Sequence, residues 1–338
     1  MNPTVLIIAG ALLIFGGIGV TEGNEDALVP GSKELTTGKG IDVTQHKNIL
    51  LLPAEEECGF ADKEDIATSM QQSGSKVFLT KPNTPSKYPW MVRVVVEDNK
   101  GVRWPVCSGT LISSRYVLTS ATCLIGLNSA VKVSNIVLGG HNAHCDNGKC
   151  FPISKVVEVS DTVIHPDYVL PTRQHDIGLV KLAKSVTVTE SYMRPVCLPK
   201  AETLFAGFKN NKTVSVSWGK LEEGSLASSY MLYPRNLRVT EMTFELREYC
   251  DRFYKISHAK FGPGRFCATS TANKGICSDE DGGPLLKPIM IPESDQSRIY
   301  QIGIVSFQNK LCGQPGIPAG FTNVINYMSW ILDNMSLD

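Results

Sequence analysis

Val117-Leu118-Thr119-Ser120-Ala121-Thr122-Cys123 opens as a short β-branched run and closes on a cysteine. Its first half belongs to the run Tyr116 to Thr119. Runs of the same texture recur at Met91 to Val96, Lys155 to Val159 and Ile302 to Phe307. Gly, Pro, Asn and Asp turns separate them, a spacing that predicts an all-β sandwich or barrel. Near the end, Ile325, Met328 and Leu332 stand three and four residues apart. That periodicity predicts one amphipathic C-terminal helix.

The 338 residues are 42% hydrophobic and 20% charged, ordinary for a globular protein with a sizeable core. That length holds one large β domain with extra segments, or two ordinary domains. The 33 basic and 33 acidic residues cancel, leaving no electrostatic footprint for nucleic acid or an anionic membrane. Val5 to Val20 is an almost unbroken apolar run with Gly16, Gly17 and Gly19 near its end. A transmembrane helix needs about 20 such residues. The run therefore predicts a secretory signal peptide over residues 1–23, cleaved between about Gly19 and Gly23. Its only positive charge is the amino terminus, and the alternative is an uncleaved anchor. Residues 24–76 are mixed polar and acidic without periodicity, which predicts a flexible pro-segment. The exception is Ile49-Leu50-Leu51-Leu52 with Glu55-Glu56-Glu57-Cys58, a stretch suited to docking locally.

Export gives the ten cysteines a meaning. Cys58, Cys107, Cys123, Cys145, Cys150, Cys197, Cys250, Cys267, Cys277 and Cys312 contain no C-x-x-C pair, which argues for bridges over a zinc ribbon or redox motif. In the same compartment Asn211-Lys212-Thr213 and Asn334-Met335-Ser336 are glycan acceptor sequences. The group His141, His144, Cys145 and Cys150 hints at a metal, but a bridged loop with surface histidines is simpler, because zinc would need free thiolates.

Six further stretches follow in order. They are Tyr88-Pro89-Trp90-Met91-Val92, Cys107-Ser108-Gly109-Thr110-Leu111-Ile112, His175-Asp176-Ile177-Gly178-Leu179, Trp218-Gly219, Gly282-Gly283-Pro284 and Gly303-Ile304-Val305-Ser306-Phe307. With Val117 to Cys123, this series resembles the chymotrypsin-like (trypsin-fold) serine proteases over roughly residues 77–335. The resemblance implies two six-stranded antiparallel β-barrels, a C-terminal helix, and a site in the cleft between the barrels. It places the protease homologue domain at 77–338, and is nearest to arthropod clip-type cascade proteases. Only Cys58 lies upstream, so a complete six-cysteine clip module is not expected.

Catalysis in that family needs a serine hydroxyl, an imidazole to take its proton, and a carboxylate to hold the imidazole. The resemblance keeps the carboxylate as Asp176, but sets Thr122 at the imidazole position and Asp281 at the nucleophile position. Asp279 replaces the oxyanion-site glycine, where a carboxylate opposes developing negative charge. Glu280 stands where an aspartate pairs with the new N-terminus after activation. Gly275 falls at the base of the specificity pocket, and Gln308 and Ala319 fall on walls that are usually glycine. Histidine rescue through His175 is disfavoured, since neighbours on an extended segment face opposite ways. An aspartic-type dyad of Asp176 and Asp281 needs two carboxylates sharing a proton at close contact. The structural alternative has Asp176 hydrogen-bonded to Thr122 or Ser306.

The resemblance also implies the pairs Cys107–Cys123, Cys250–Cys267, Cys277–Cys312, Cys145–Cys150 and Cys58–Cys197, the last tying the pro-segment to the domain. Gly140 stands where the family's calcium loop begins with a carboxylate, so neither metal nor cofactor is expected. The activation junction falls at Lys76-Val77, or else Lys76 is simply an exposed loop lysine. The expectation is a secreted, extracellular, non-catalytic homologue that binds proteases, zymogens or other secreted proteins, with no nucleic acid and no membrane partner. The alternatives are an active peptidase with unconventional residues, and a secreted structural protein.

Overall fold

The computed structural model describes residues 40–60, 76–77, 88–125, 130–139, 145–146, 149–150, 155–188, 193–202, 212–218, 237–255, 261–270, 276, 281–290, 297–308 and 316–337. A two-residue strand, β1 (Lys76–Val77), precedes the first barrel. That barrel begins with β2 (Met91–Asp98), β3 (Arg103–Leu111), β4 (Tyr116–Thr119) and β5 (Val131–Leu138). After a small ribbon, β6 (Cys145–Asp146) and β7 (Lys149–Cys150), it is completed by β8 (Lys155–Ile164) and β9 (Gly178–Leu182). The closed order is β2-β3-β4-β9-β8-β5.

The second barrel uses β10 (Lys212–Ser217), β11 (Arg238–Phe244), β12 (Arg265–Ser270), β13 (Pro284–Met290), β14 (Ser297–Phe307) and β15 (Pro318–Asn323). Its order runs β11-β10-β13-β14-β15-β12, and pairing of β12 back onto β11 closes it, while β1 adds to the outer side of β11. All pairings are antiparallel, and the two six-stranded barrels are those expected. The β-branched runs fall inside strands because their side chains pack well on a pleated, buried surface. Val92, Val94, Val117 and Val305 are wholly buried.

Two short helices complete the described chain, α1 (Arg247–Phe253) and α2 (Met328–Asp333). The predicted C-terminal helix is a 3₁₀ turn over Val324–Tyr327 running into α2, with Ile325, Met328 and Leu332 all buried. Among the described residues no helix is long and apolar enough to cross a membrane.

The upstream segment differs from its expected looseness over residues 40–60, which form a docked strap. Val43 donates its N–H to the Lys200 carbonyl at 2.8 Å, and Glu202 donates to Ile41 at 2.9 Å. Asn48 Nδ2 reaches the carbonyls of Leu332 and Met335 beside α2. Gly59 forms two main-chain bonds, to Pro195 and from Ile299. Its φ of +63° and the absence of a Cβ let it lie against Ile299 and the Cys197 sulfur. The Phe60 ring sits under two guanidiniums, Arg298 at 4.0 Å and Arg194 at 4.8 Å. The docking expected around Ile49 to Cys58 is therefore wider, and combines main-chain bonds with buried side chains such as Val43 and Leu52.

Candidate functional site

The cleft is built from three tight segments. After β4, a 3₁₀ turn over Ala121–Cys123 presents Thr122, and the Cys107–Cys123 disulfide pins that turn to β3. Between β8 and β9, a loop carries Tyr168, Arg173, His175 and Asp176. Before β13, Asp281 and Gly282 make a turn locked into both barrels. Ser108 of the first barrel donates its N–H to the Asp281 carbonyl at 3.1 Å, and Gly282 donates to Val305 at 2.9 Å. Gly282 has φ +78°, and a Cβ there would strike Thr119 Oγ1 and the Ser108 carbonyl. Only glycine fits that position.

Asp176 is completely buried. Its Oδ1 accepts the Thr122 N–H at 2.8 Å, and the Thr122 hydroxyl donates to the same carboxylate at 3.0 and 3.1 Å. The Ser306 hydroxyl donates to Oδ2 at 2.6 Å, while the Thr322 hydroxyl holds the Asp176 carbonyl at 2.8 Å. Ser306 can do this because the β14–β15 register slips between Val305 and Phe307, and a bulge re-aims the residue it releases. Burial pushes the Asp176 carboxyl above its ordinary range, opposed by the bonds from Ser306 and Thr122 and by the Arg173 charge. The Thr122 hydroxyl also pairs with the Tyr168 hydroxyl at 2.8 Å.

Asp281 lies nearer the mouth. Arg173 Nη1 and Gln308 Nε2 each donate to its Oδ1 at 3.2 Å. The same Arg173 nitrogen donates to the Ser306 carbonyl. Burial pushes the Asp281 carboxyl up to about 6; Arg173 pulls it down and Asp176 pushes it further up. The two carboxylates share no hydrogen bond. Each is tied to different donors, so the shared-proton contact that a carboxylate dyad requires is not formed.

The structure thus brings Thr122, Asp176 and Asp281 to one cleft, with Gln308 on its rim. The other wall residue, Ala319, is buried on β15 opposite Ala268. Beside it the Phe307 ring rests directly on Gly320 and packs edge-on against Tyr254 at 4.9 Å. Gly275, Asp279 and Glu280 lie outside the described residues. Asp176 satisfies Thr122 and Ser306 together, where the sequence left the two as alternatives. His175 turns away, with its Nδ1 on the Tyr327 hydroxyl at 3.1 Å and its ring stacked on His165 at 4.8 Å. His46 meets Asp333 beside α2. No described histidine therefore contacts Asp176 or Asp281.

Three expected disulfides are formed, Cys58–Cys197, Cys107–Cys123 and Cys250–Cys267. Cys145 and Cys150 stand opposite one another in register on β6 and β7. Cys277 and Cys312 lie outside the described residues, as do Asn211, His141, His144, His258 and Gly140. Lys76 and Val77 form β1, in register with Val239 and Arg238, so the expected junction is a paired strand and not an open loop. Asn334 is engaged: its Nδ2 donates to the Trp330 carbonyl at 2.7 Å, and the next residue, Met335, is buried.

Arg173 and Tyr168 escaped the sequence reading. The only available signal for Arg173 was charge complementarity, a cation three residues before one aspartate and needed by another.

Comparison with known proteins agrees with this architecture. A sequence profile of the trypsin family matches residues 78–331. The chain is 25% identical to the CLIP domain-containing serine protease B4 of Anopheles gambiae, across 92% of this chain and 85% of that protein. It is 32% identical to the phenoloxidase-activating enzyme of Bombyx mori, across 76% of this chain and 60% of that one. The crystal structure of the Drosophila Grass clip serine protease of the Toll pathway superposes with a TM-score of 0.64 at 27% identity. That match covers 82% of this chain and 74% of the Grass chain.

Proposed function

This chain belongs to the trypsin family, and we propose that it acts there by binding, not by hydrolysis. Its setting is an extracellular protease cascade of the kind named for its relatives, with proteases, zymogens or other secreted proteins as partners. The observation that carries the reading is the filling of the cleft. Thr122 spends its amide and its hydroxyl on Asp176, and a threonine hydroxyl is no base near neutral pH. At the nucleophile position Asp281 holds a guanidinium, and a carboxylate there neither matches the serine chemistry nor welcomes an oxyanion. Formed disulfides suit an oxidising, secreted location.

Such a scaffold keeps surfaces for recognition while its hydrolytic parts are engaged elsewhere. Purified protein, intact or cut after Lys76, is expected to turn over no member of a peptide library. It is also expected to take no label from a serine-directed phosphonate. Turnover that disappears in Asp281→Ala would overturn this reading. Pulldown from the source's body fluid should enrich a protease, a zymogen or an inhibitor, whereas recovery of none favours a structural role.

A further inference from the structure

The acceptor at the cleft mouth is anchored by its main chain, and its cation is partly exposed. Asp281 is held by main-chain bonds from Ser108 and through Gly282 to Val305, and Gln308 orients its Oδ1. The Ser306 carbonyl, freed from the β15 ladder, faces the same point. A carboxylate oxygen and a carbonyl thus converge on one nitrogen, an arrangement suited to an N–H-rich cation.

The cation now present uses it incompletely. Among the described residues Arg173 engages through Nη1 alone, and its side chain stays 30% exposed. Its backbone is left-handed at φ +49°, and His175 two residues on is left-handed at +54°. Side chains disfavour that geometry, and such strain gathers where a segment must move. Meanwhile Asp281 Oδ2 takes no hydrogen bond from any described residue, and the Asp281 side chain keeps 20% exposure. A guanidinium arriving from outside could occupy both oxygens as a fork, which one nitrogen of Arg173 does not.

We propose that the cleft mouth is a receptor for an arginine side chain on an extended segment of a partner protein, and that Arg173 is its resident stand-in. The idea rests on the binding function proposed above and names the chemistry that the site selects. The partner's guanidinium displaces Arg173 and takes Asp281 through both oxygens, with the Ser306 carbonyl as third acceptor.

The test is fluorescence anisotropy with two labelled peptides, one with a central arginine and one with its neutral isostere citrulline. Arg173→Ala should bind the arginine peptide about tenfold tighter than the wild-type chain, because no internal cation competes. The citrulline peptide should gain nothing, and Asp281→Asn added to Arg173→Ala should erase the preference. The gain should also fade as pH is lowered from about 7.5 to about 5, where the carboxylate takes up a proton. Equal binding of the two peptides by Arg173→Ala, or a preference surviving in the double variant, would overturn the proposal. If Arg173→Ala does not melt cooperatively, Arg173→Gln keeps the length without the charge and serves in its place. Peptide failure with capture of a cascade protein intact sinks only this inference, whereas Asp281-dependent turnover sinks the binding function itself.

Discussion

Two carboxylates share the cleft and behave as opposites. Asp176 sits on its floor, sealed from water, with every donor around it aimed inward from both barrels. Asp281 sits at the mouth, bonded through its main chain to both barrels, with its Oδ2 bonded to no described residue. The first is a brace: removing it strands the Thr122 amide and the Ser306 hydroxyl and leaves the Thr122 hydroxyl only Tyr168. The second is a poised charge, held by a side chain that is partly in water.

The contrast breaks most visibly at the floor. Asp176→Ala should cost about 3 kcal/mol in urea unfolding, since buried donors to a charged acceptor are left unmade. A loss near zero would show that Asp176 braces nothing. Arg173→Ala should cost less, about 1 kcal/mol at pH 7.5, because the pair it breaks is partly exposed. That cost should shrink near pH 4.5, where Asp281 is neutral and only the bond to the Ser306 carbonyl remains. A cost independent of pH would place the contribution of Arg173 in its packing and not in its charge.

Asp281→Asn sharpens the comparison by its sign. A carboxyl raised from 3.8 to about 6 in the fold holds its proton more firmly there than in the unfolded chain. Its contribution therefore favours the fold at low pH and is lost as the pH climbs between those two values. Wild type and Asp281→Asn should melt alike near pH 4, and the variant should gain relative to wild type above about pH 6. Loss of stability in the variant at pH 7.5 would make Asp281 a second brace. Smallest of all, Tyr168→Phe removes one hydroxyl from Thr122 and should cost about 0.5 kcal/mol by thermal melting.

Much of this frame was legible in the chain. Tyr116 to Thr119 is β4 residue for residue, because a β-branched run bounded by turns has few other uses. Ile302 to Phe307 marked the inner half of β14, and the strand's outer half, Ser297 to Gln301, is more polar and gave no such signal. The three site positions were found because the landmarks around them bracket each one. The partners of Asp176 were legible as alternatives, Thr122 or Ser306, and it takes both; the partners of Asp281 were not. Arg173 reaches Asp281 from a left-handed backbone that no glycine or asparagine advertises. Gln308 was placed on a wall that is usually glycine, and nothing in that placement showed that its amide donates to Asp281.

The strap hid for another reason. Its docking at 40–60 is spread over isolated main-chain bonds at Val43 and Gly59 and single side chains such as Asn48, Leu52 and Phe60, and scattered contacts of that kind leave no periodic trace. Asn334 teaches the converse. A three-residue acceptor pattern is visible in any chain, while the bond from Asn334 to the Trp330 carbonyl forms only on folding.

The strap has a consequence for counting. A cut after Lys76 would raise the number of polypeptides to two and leave the number of particles at one. The Cys58–Cys197 bridge joins the pieces covalently. Gly59 on Ile299 and Phe60 between Arg194 and Arg298 would hold them even with that bridge reduced. Such a molecule runs as two bands on a reducing gel and as one peak on a sizing column. Whatever a cut changes in this protein, it is not who travels with whom.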